Sequence, residues 1–154
     1  MVLDWLNSLE TDEEIKEADK AIAFVKRMNG AKLALVQVPQ SNRDNIETRQ
    51  KNALSCLNAV AKRTVEQGVA CSFHPNSPLG SVFRTAEDYE IMINGLDPAL
   101  IGYTPDSGHI ENGGRDALEI IKNIEIVLIT YILKILIKMA RGRQWAMASL
   151  IFPQ

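Results

Sequence analysis

The sequence predicts an α/β protein in which helices alternate with the strands of a parallel sheet. Three observations predict this class: apolar runs of five to seven residues, helical spacing of apolar side chains between the runs, and Gly, Pro or Asn at the boundaries. The 154 residues are 46% apolar and 23% charged, which suits one ordinary domain with its own core. They are too few for a complete eight-unit α/β barrel, which needs roughly 200 residues or more.

The first two predicted helices flank a predicted strand. Residues 11–14 (Thr-Asp-Glu-Glu) form a capping box, and apolar side chains then recur at helical spacing up to a stop at residues 29–30 (Asn-Gly). Residues 32–38 are nearly all apolar and are followed by Pro39, which is typical of a strand buried on both faces. A long helix with one apolar face is predicted from about residue 46 to 67.

The second half of the chain repeats this alternation. A strand is predicted at residues 69–73, a helix starting at residues 85–88 with Tyr89, Met92 and Ile93 facing inward, and a strand at residues 99–103. A short helix is predicted at residues 117–123. Residues 126–133 are read as a fourth strand or a buried helix, since periodicity does not decide between them. Strict alternation predicts right-handed βαβ units and a parallel sheet.

Charge and cysteine content exclude some classes of function. The net charge of −2 gives no general attraction to nucleic acid or to an anionic membrane, although residues 121–154 are basic. No apolar run approaches the roughly 20 residues that span a bilayer, and no basic start indicates a signal peptide. Cys56 and Cys71 form no Cys-x-x-Cys pair, which favours two buried, reduced thiols. We therefore expect a cytoplasmic protein without a nucleic-acid or membrane partner.

Polar side chains follow two successive predicted strands, in residues 73–76 (Phe-His-Pro-Asn) and 105–109 (Pro-Asp-Ser-Gly-His). The carboxyl ends of parallel strands meet at one edge of a sheet, where α/β proteins build their sites. Asp106 and His109 are separated by a glycine that permits a sharp turn, so both side chains can face one cavity. The chain has two histidines in all, and both fall at strand ends.

Each of these residues has more than one interpretation. Asp106 and His109 suit a divalent transition ion, or His109 transfers protons while Asp106 holds the metal, or the segment is an ordinary turn. His74 is either part of the same site or a loop residue. Asn76 either donates to a substrate hydroxyl or closes an Asx turn, and Arg84 either binds an anion such as phosphate or is a solvated charge.

These segments resemble the sugar phosphate isomerase/epimerase family with xylose isomerase-like barrels, and within it the inosose dehydratase-like branch. The resemblance spans roughly residues 10–123. We therefore predict a partial barrel domain at residues 1–123 and a divergent segment at residues 124–154. The carrying segments are residues 67–69 (Gln-Gly-Val), 73–76, 83–85 (Phe-Arg-Thr), 96–98 (Leu-Asp-Pro), 105–110 and 113–114 (Gly-Gly).

The resemblance implies an eight-stranded α/β (TIM) barrel, here incomplete. It also implies a divalent metal (Mn, Co, Mg or Zn) and proton transfer next to a carbonyl of a sugar or cyclitol. By resemblance, Asp106 is a metal-binding carboxylate and His109 is the catalytic, proton-handling histidine. His74 is a further metal ligand, at a position where many members place a glutamate. Asn76 is then a substrate contact. Arg84 is a second candidate for substrate binding, because its positive charge suits an anion such as phosphate. The expected partner is a small-molecule sugar or cyclitol.

The sequence departs from the family pattern in its last third. The family's His-x-Lys-Asp-like motif would fall at residues 131–135 (Tyr-Ile-Leu-Lys-Ile), which contain neither histidine nor aspartate, and the final metal glutamate has no counterpart. We therefore expect a fragment that begins near the middle of the barrel, with a C-terminal region altered by a frameshift or by degeneration. Translating the coding DNA in its other frames tests this expectation: if no frame restores such a motif, the frameshift hypothesis fails.

Three hypotheses for function follow. The first is a metal-dependent sugar (phosphate) isomerase/epimerase or inosose dehydratase-like enzyme of carbohydrate metabolism. The second is a non-catalytic truncated remnant of that fold, which self-associates as a homo-oligomer because an incomplete barrel leaves strand edges and apolar surface uncovered. The third, hydrolysis of phosphodiesters at several zinc ions, is disfavoured because the chain has two histidines.

Overall fold

Helices alternate with parallel strands in the computed structural model, which describes residues 2–3 and 12–122. The predicted fold class, an α/β chain with a parallel sheet, is thereby confirmed. The elements are β1 (Val2–Leu3), α1 (Asp12–Lys26), β2 (Leu33–Gln37), α2 (Ile46–Glu66), β3 (Cys71–Phe73), α3 (Ala86–Gly95), β4 (Gly102–Tyr103) and α4 (Ser107–Asn112). Residues 117–122 are again helical.

The four strands lie side by side in chain order, β1-β2-β3-β4, and every neighbouring pair is parallel. The register pairs Leu33 with Cys71 and Phe73 with Tyr103. Because parallel crossovers are right-handed and the strand order never reverses, successive helices pack on the same face of the sheet. The carboxyl ends of β2, β3 and β4 therefore share one edge, and the loops that follow them are neighbours.

The hydrophobic core lies between the sheet and this helical layer. Leu35 and Phe73 are fully buried, and the Phe73 ring meets the ring of Phe83 edge-on at 5.8 Å. Side chains alternate along β2, so that Ala34 is exposed and Val36 is half-buried. The expectation that this strand is buried on both faces was therefore wrong, because the described helices cover one face of the sheet. Fully buried helical partners are Ala18, Ile22, Cys56, Leu57, Ala61 and Met92.

Some elements differ from the predictions in extent. β1 was not predicted, since two residues are too few to show a period. β3 and β4 are shorter than expected because residues ahead of them are used in turns: Val69 N–H donates to Thr64 O, and Ile101 N–H donates to Asp97 O. The predicted strand or helix at residues 126–133, and the segment 124–154 as a whole, lie outside the described residues. So does Thr11 of the first predicted capping box.

The start of α3 confirms its predicted signal. The Thr85 hydroxyl accepts from Asp88 N–H and the Asp88 carboxylate accepts from Thr85 N–H, which completes a capping box. Tyr89 and Met92 are buried as predicted. The prediction for Ile93 was wrong: its side chain is 39% exposed, because it lies one position beyond Met92 and points away from the core.

Residues 74–85, here called the β3–α3 loop, are held in place by partly buried hydrogen bonds. Three guanidinium groups donate to main-chain carbonyl oxygens of this loop: Arg84 to Ser77, Arg49 to Gly80 and Arg43 to Ser81. Gly80 lies so close to the carbonyl of Gln40 that a Cβ atom would overlap it, which explains the need for glycine there. The loop is consequently fixed against β2 and α2.

Cys56 and Cys71 are both buried thiols and are not joined in a disulfide, as predicted. Within residues 12–122, no helix combines the length and the apolar character that crossing a bilayer requires.

Candidate functional site

The backbone places the two predicted polar clusters next to each other at the carboxyl ends of β3 and β4. His74 N–H donates to Leu35 O at 2.9 Å, so the pairing with β2 continues one residue beyond β3. Thr104 N–H donates to Phe73 O at 2.9 Å and continues the pairing of β4 in the same way. His74 is thereby fixed at the sheet edge, beside the segment that leads into Asp106.

Asp106 begins a short helix that was not predicted from the sequence. Its Oδ1 accepts a hydrogen bond from His109 N–H at 3.0 Å, so Asp106 is the N-cap of α4. The Asp-Ser-Gly segment, one reading of which was an ordinary turn, is the first turn of this helix. The hydrogen bond from His109 N–H lowers the pKa of Asp106, and the imidazoles of His109 and His74 add to this lowering. Asp106 is therefore a carboxylate at neutral pH.

His74, Asp106 and His109 come together as the sequence predicted. One potential ligand atom from each lies within 4.8 Å of the others, and all three residues are half-buried. The two imidazole rings meet edge-on, with centroids 5.5 Å apart. Mn²⁺, Co²⁺ and Zn²⁺ bind both imidazole nitrogens and carboxylate oxygens as ligands, whereas Mg²⁺ favours oxygen ligands alone. The donor set thus fits a divalent transition metal.

Ser77 and Asn112 complete the surroundings of His109, and sequence reasoning missed both. The Ser77 hydroxyl lies 3.0 Å from His109 Nδ1, and the Asn112 side-chain amide donates to that hydroxyl at 2.8 Å. Asn112 and His109 are three residues apart on α4 and share a helix face. A prediction of α4 would have revealed this pair, whereas nothing in the sequence marks Ser77.

Arg84 connects the β3–α3 loop to α4 beside this cluster. Its Nε donates to Ser77 O and a terminal nitrogen donates to Asn112 O, both at 2.9 Å. Gly113 permits this approach, because a Cβ atom there would overlap the Arg84 carbonyl. The guanidinium group therefore lies next to the residues that surround His109. Its binding of a substrate anion stays a prediction.

Asn76 lies among polar groups at the ends of β2 and β3. Its Nδ2 donates to Gln37 O at 2.8 Å, and its Oδ1 accepts from the Ser81 hydroxyl. Gln37 is 3% exposed, and its Oε1 has no hydrogen-bond partner among the described residues. The signal for Gln37 in the sequence is an amide side chain inside the apolar run of residues 32–38. The role of Asn76 as a substrate contact stays a prediction.

Tyr103 supports the start of the segment that carries Asp106. Its ring packs edge-on against Tyr89 at 6.3 Å, and the Arg115 guanidinium lies 4.8 Å from the centroid of the Tyr89 ring. Burial raises the pKa of Tyr103, so its hydroxyl stays protonated throughout the neutral range. Tyr103 is thus a packing residue in this structure.

Comparison with known proteins gives a distant similarity. No protein-family model matches the chain. Two curated proteins named inosose dehydratase, from two strains of Clostridium perfringens, are each 24% identical to it over 134 residues. The match covers 77% of this chain and 44% of each relative. The chain thus spans less than half the length of these relatives, to which it is distantly similar.

Proposed function

We propose that this chain carries part of the active site of a metal-dependent enzyme that transfers a proton next to a carbonyl of a sugar or cyclitol. The observation that carries the proposal is the meeting of His74, Asp106 and His109 at the carboxyl edge of a parallel sheet. His74 and Asp106 offer a nitrogen and an oxygen ligand for a metal, and the imidazole of His109 lies close enough to them to transfer a proton at the same site.

Each residue of the cluster has a role in this proposal. Asp106, a carboxylate at neutral pH, and His74 hold the divalent ion. The ion, when bound, supplies a positive charge that polarises a substrate carbonyl oxygen. His109 gives or takes the proton, because an imidazole ring offers one nitrogen that donates and one that accepts. Asn76 and Arg84 lie on the loop that follows β3 and are proposed to orient the sugar or cyclitol.

The fold and the comparisons support the same class of enzyme. Strands in unreversed chain order, with helices on one face, are the arrangement found in α/β barrels, so we propose a partial barrel of the xylose isomerase-like type. The distant relatives are named inosose dehydratase, which supports a cyclitol as the substrate class. Since the chain spans 44% of their length, the proposal concerns the part of the site that these residues form.

Thermal melts with and without Mn²⁺, Co²⁺ and Zn²⁺ test the proposal. Metal that binds the folded chain alone, at about 100 times its Kd, stabilises it by about 2.7 kcal/mol, so the parent melt is expected to rise. Asp106→Asn is the matched variant, because asparagine keeps the N-cap of α4 but removes the charged ligand. No metal-dependent rise in the parent, or an equal rise in the variant, refutes the metal site. Sugars and cyclitols are then screened for turnover.

Exposed apolar side chains favour a second candidate, a non-catalytic chain that pairs with a second copy of itself. Leu118 is 62% exposed, and Ile91 and Ile121 are 42% and 39% exposed. Pairing would remove such side chains from water. Size-exclusion chromatography with light scattering over a range of concentrations tests this candidate, and a strictly monomeric chain rejects it.

A further inference from the structure

Three side chains, those of Asn112, Ser77 and His109, form a hydrogen-bonded network that ends at the imidazole of His109, and Arg84 holds the main chain of two of these residues. Arg84 donates to the main-chain carbonyl of Asn112 at 2.9 Å, Asn112 Nδ2 donates to Ser77 Oγ at 2.8 Å, and Ser77 Oγ lies 3.0 Å from His109 Nδ1. Arg84 Nε also donates to Ser77 O, so one guanidinium group holds both the loop and the helix that supply this network.

The amide group of Asn112 has a defined orientation. The atom that approaches Ser77 Oγ also lies 3.4 Å from the Ser77 main-chain carbonyl oxygen, which accepts hydrogen bonds and cannot donate. That atom must therefore be the amide nitrogen. It follows that Ser77 Oγ accepts a hydrogen bond from Asn112 and keeps its own proton to donate.

His109 Nδ1 is the acceptor for this hydroxyl proton. Within residues 12–122, Ser77 Oγ has hydrogen-bond partners in Asn112 Nδ2 and His109 Nδ1, and Ser77 is 2% exposed. If Nδ1 carried the proton instead, Ser77 Oγ would accept twice and its buried hydroxyl proton would lack an acceptor. The network therefore favours the tautomer of His109 in which Nδ1 accepts a hydrogen bond and Nε2 carries the proton.

We propose that Ser77 and Asn112 are positioning residues that hold His109 in its Nε2–H tautomer. The consequence rests on the proposed function: His109 then presents Nε2–H to the site as a hydrogen-bond donor for a substrate oxygen, because a protonated Nε2 does not bind a metal and Nδ1 is held by Ser77. His74 and Asp106 remain as the metal ligands of the cluster. The tautomer itself is a property of the folded chain and is measured without substrate or metal.

Long-range ¹H–¹⁵N correlation NMR of the full chain, labelled with ¹⁵N-histidine, tests the proposal. The sample is free of metal and is held at a pH at which both imidazoles are neutral. The chain has two histidines, so the variant His74→Gln assigns the spectrum. We expect His109 to show one protonated Nε2 and one unprotonated Nδ1. A ring that averages between tautomers, or one protonated at Nδ1, overturns the proposal.

Two variants separate positioning from folding. Ser77→Ala is expected to let His109 average between tautomers, whereas Ser81→Ala, which removes another buried hydroxyl of the same loop, leaves the tautomer unchanged. Asn112 is exposed, and Asn112→Asp replaces its amide donor by a carboxylate acceptor. The Ser77 hydroxyl is then expected to donate to that carboxylate and to accept from His109 Nδ1–H, which gives the Nδ1–H tautomer. An unchanged tautomer in both Ser77→Ala and Asn112→Asp overturns the proposal.

Addition of Zn²⁺ distinguishes failure of this proposal from failure of the proposed function. We expect Zn²⁺ to change the ¹⁵N chemical shift of a ring nitrogen of His74 and to leave the Nε2 proton of His109 in place. If Zn²⁺ replaces the His109 Nε2 proton, the metal site is real and the positioning proposal is overturned. If Zn²⁺ shifts neither ring, the metal-dependent function fails, and the metal-free spectra decide the tautomer independently.

Discussion

Asp88 anchors the β3–α3 loop, and Asp88→Asn is expected to destabilise the fold strongly. Asp88 is 4% exposed, and its carboxylate accepts five hydrogen bonds from four donor groups: Arg43 at both oxygens, Gln50 Nε2 at 2.7 Å, Arg84 N–H at 2.9 Å and Thr85 N–H at 2.8 Å. Both oxygens face donors, so an asparagine amide placed either way would point its NH₂ group at other N–H groups. Arg43 would also lose its ionic partner.

The expected loss is about 3 kcal/mol of the free energy of unfolding, the lower end of the range for breaking a buried ion pair, because the Arg43 side chain is 32% exposed. Urea denaturation followed by circular dichroism measures it. Asp97→Asn is the matched control, since Asp97 is exposed and asparagine can still accept from Ala99 N–H. A loss for Asp88→Asn no larger than that of the control would refute the anchoring role.

The stability difference between the parent and Asp88→Asn is expected to depend on pH. Burial alone would raise the pKa of Asp88, but the hydrogen bonds from Arg43, Thr85 N–H and Arg84 N–H outweigh it and lower the pKa below the ordinary value. A lowered folded-state pKa stabilises the fold above the unfolded value of about 4, and this stabilisation is lost as the pH falls through the folded-state pKa. The difference between parent and Asp88→Asn should therefore be full at pH 7 and shrink below about pH 4. A difference independent of pH would contradict this cause.

Three further outcomes are expected. Asp106→Ala should lose stability through loss of the α4 N-cap, and its melt should not respond to Mn²⁺; a melt that still rises with Mn²⁺ would remove Asp106 from the metal site. Phe73→Ala should cost about 3–5 kcal/mol because Phe73 is fully buried, whereas Phe24→Ala, at a side chain 61% exposed, should cost little in urea denaturation; equal losses would contradict the assigned core. Burial raises the pKa of Cys71 despite a hydrogen bond from Thr64, so a thiol reagent should modify Cys71 far more slowly in the folded chain than in urea; similar rates would contradict its burial.

Local patterns in the sequence were sufficient to predict the fold class and the position of the cluster. Helical spacing and the stop signals placed α2, and the Thr85–Asp88 capping signal placed the start of α3. The alternation of elements predicted parallel strands, whose carboxyl ends must meet at one edge. His74 and Asp106 were therefore predicted as neighbours although they are 32 residues apart in sequence. Each of these inferences depends on residues close together in sequence.

The same reasoning failed where long-range contacts override local preference. The two-residue strand β1 was not predicted; it exists because the neighbouring strand β2 supplies hydrogen bonds, and two residues are too few to show a period. Residues 106–109 were open to a turn interpretation, whereas the Asp106 side chain caps a helix whose end packs closely against the Arg84 carbonyl.

Residue patterns along the chain are enough to predict the α/β class, the parallel sheet and the location of His74, Asp106 and His109 at strand ends. Which groups surround His109 depends on how the loops and helices pack. Ser77 and His109 are 32 residues apart, and their contact arises where the β3–α3 loop packs against α4. Periodicity reports burial against a core, but the direction of a hydrogen bond depends on which donor and acceptor face each other after packing. The proposed tautomer of His109 is therefore a consequence of the fold and cannot be derived from the motif that contains it.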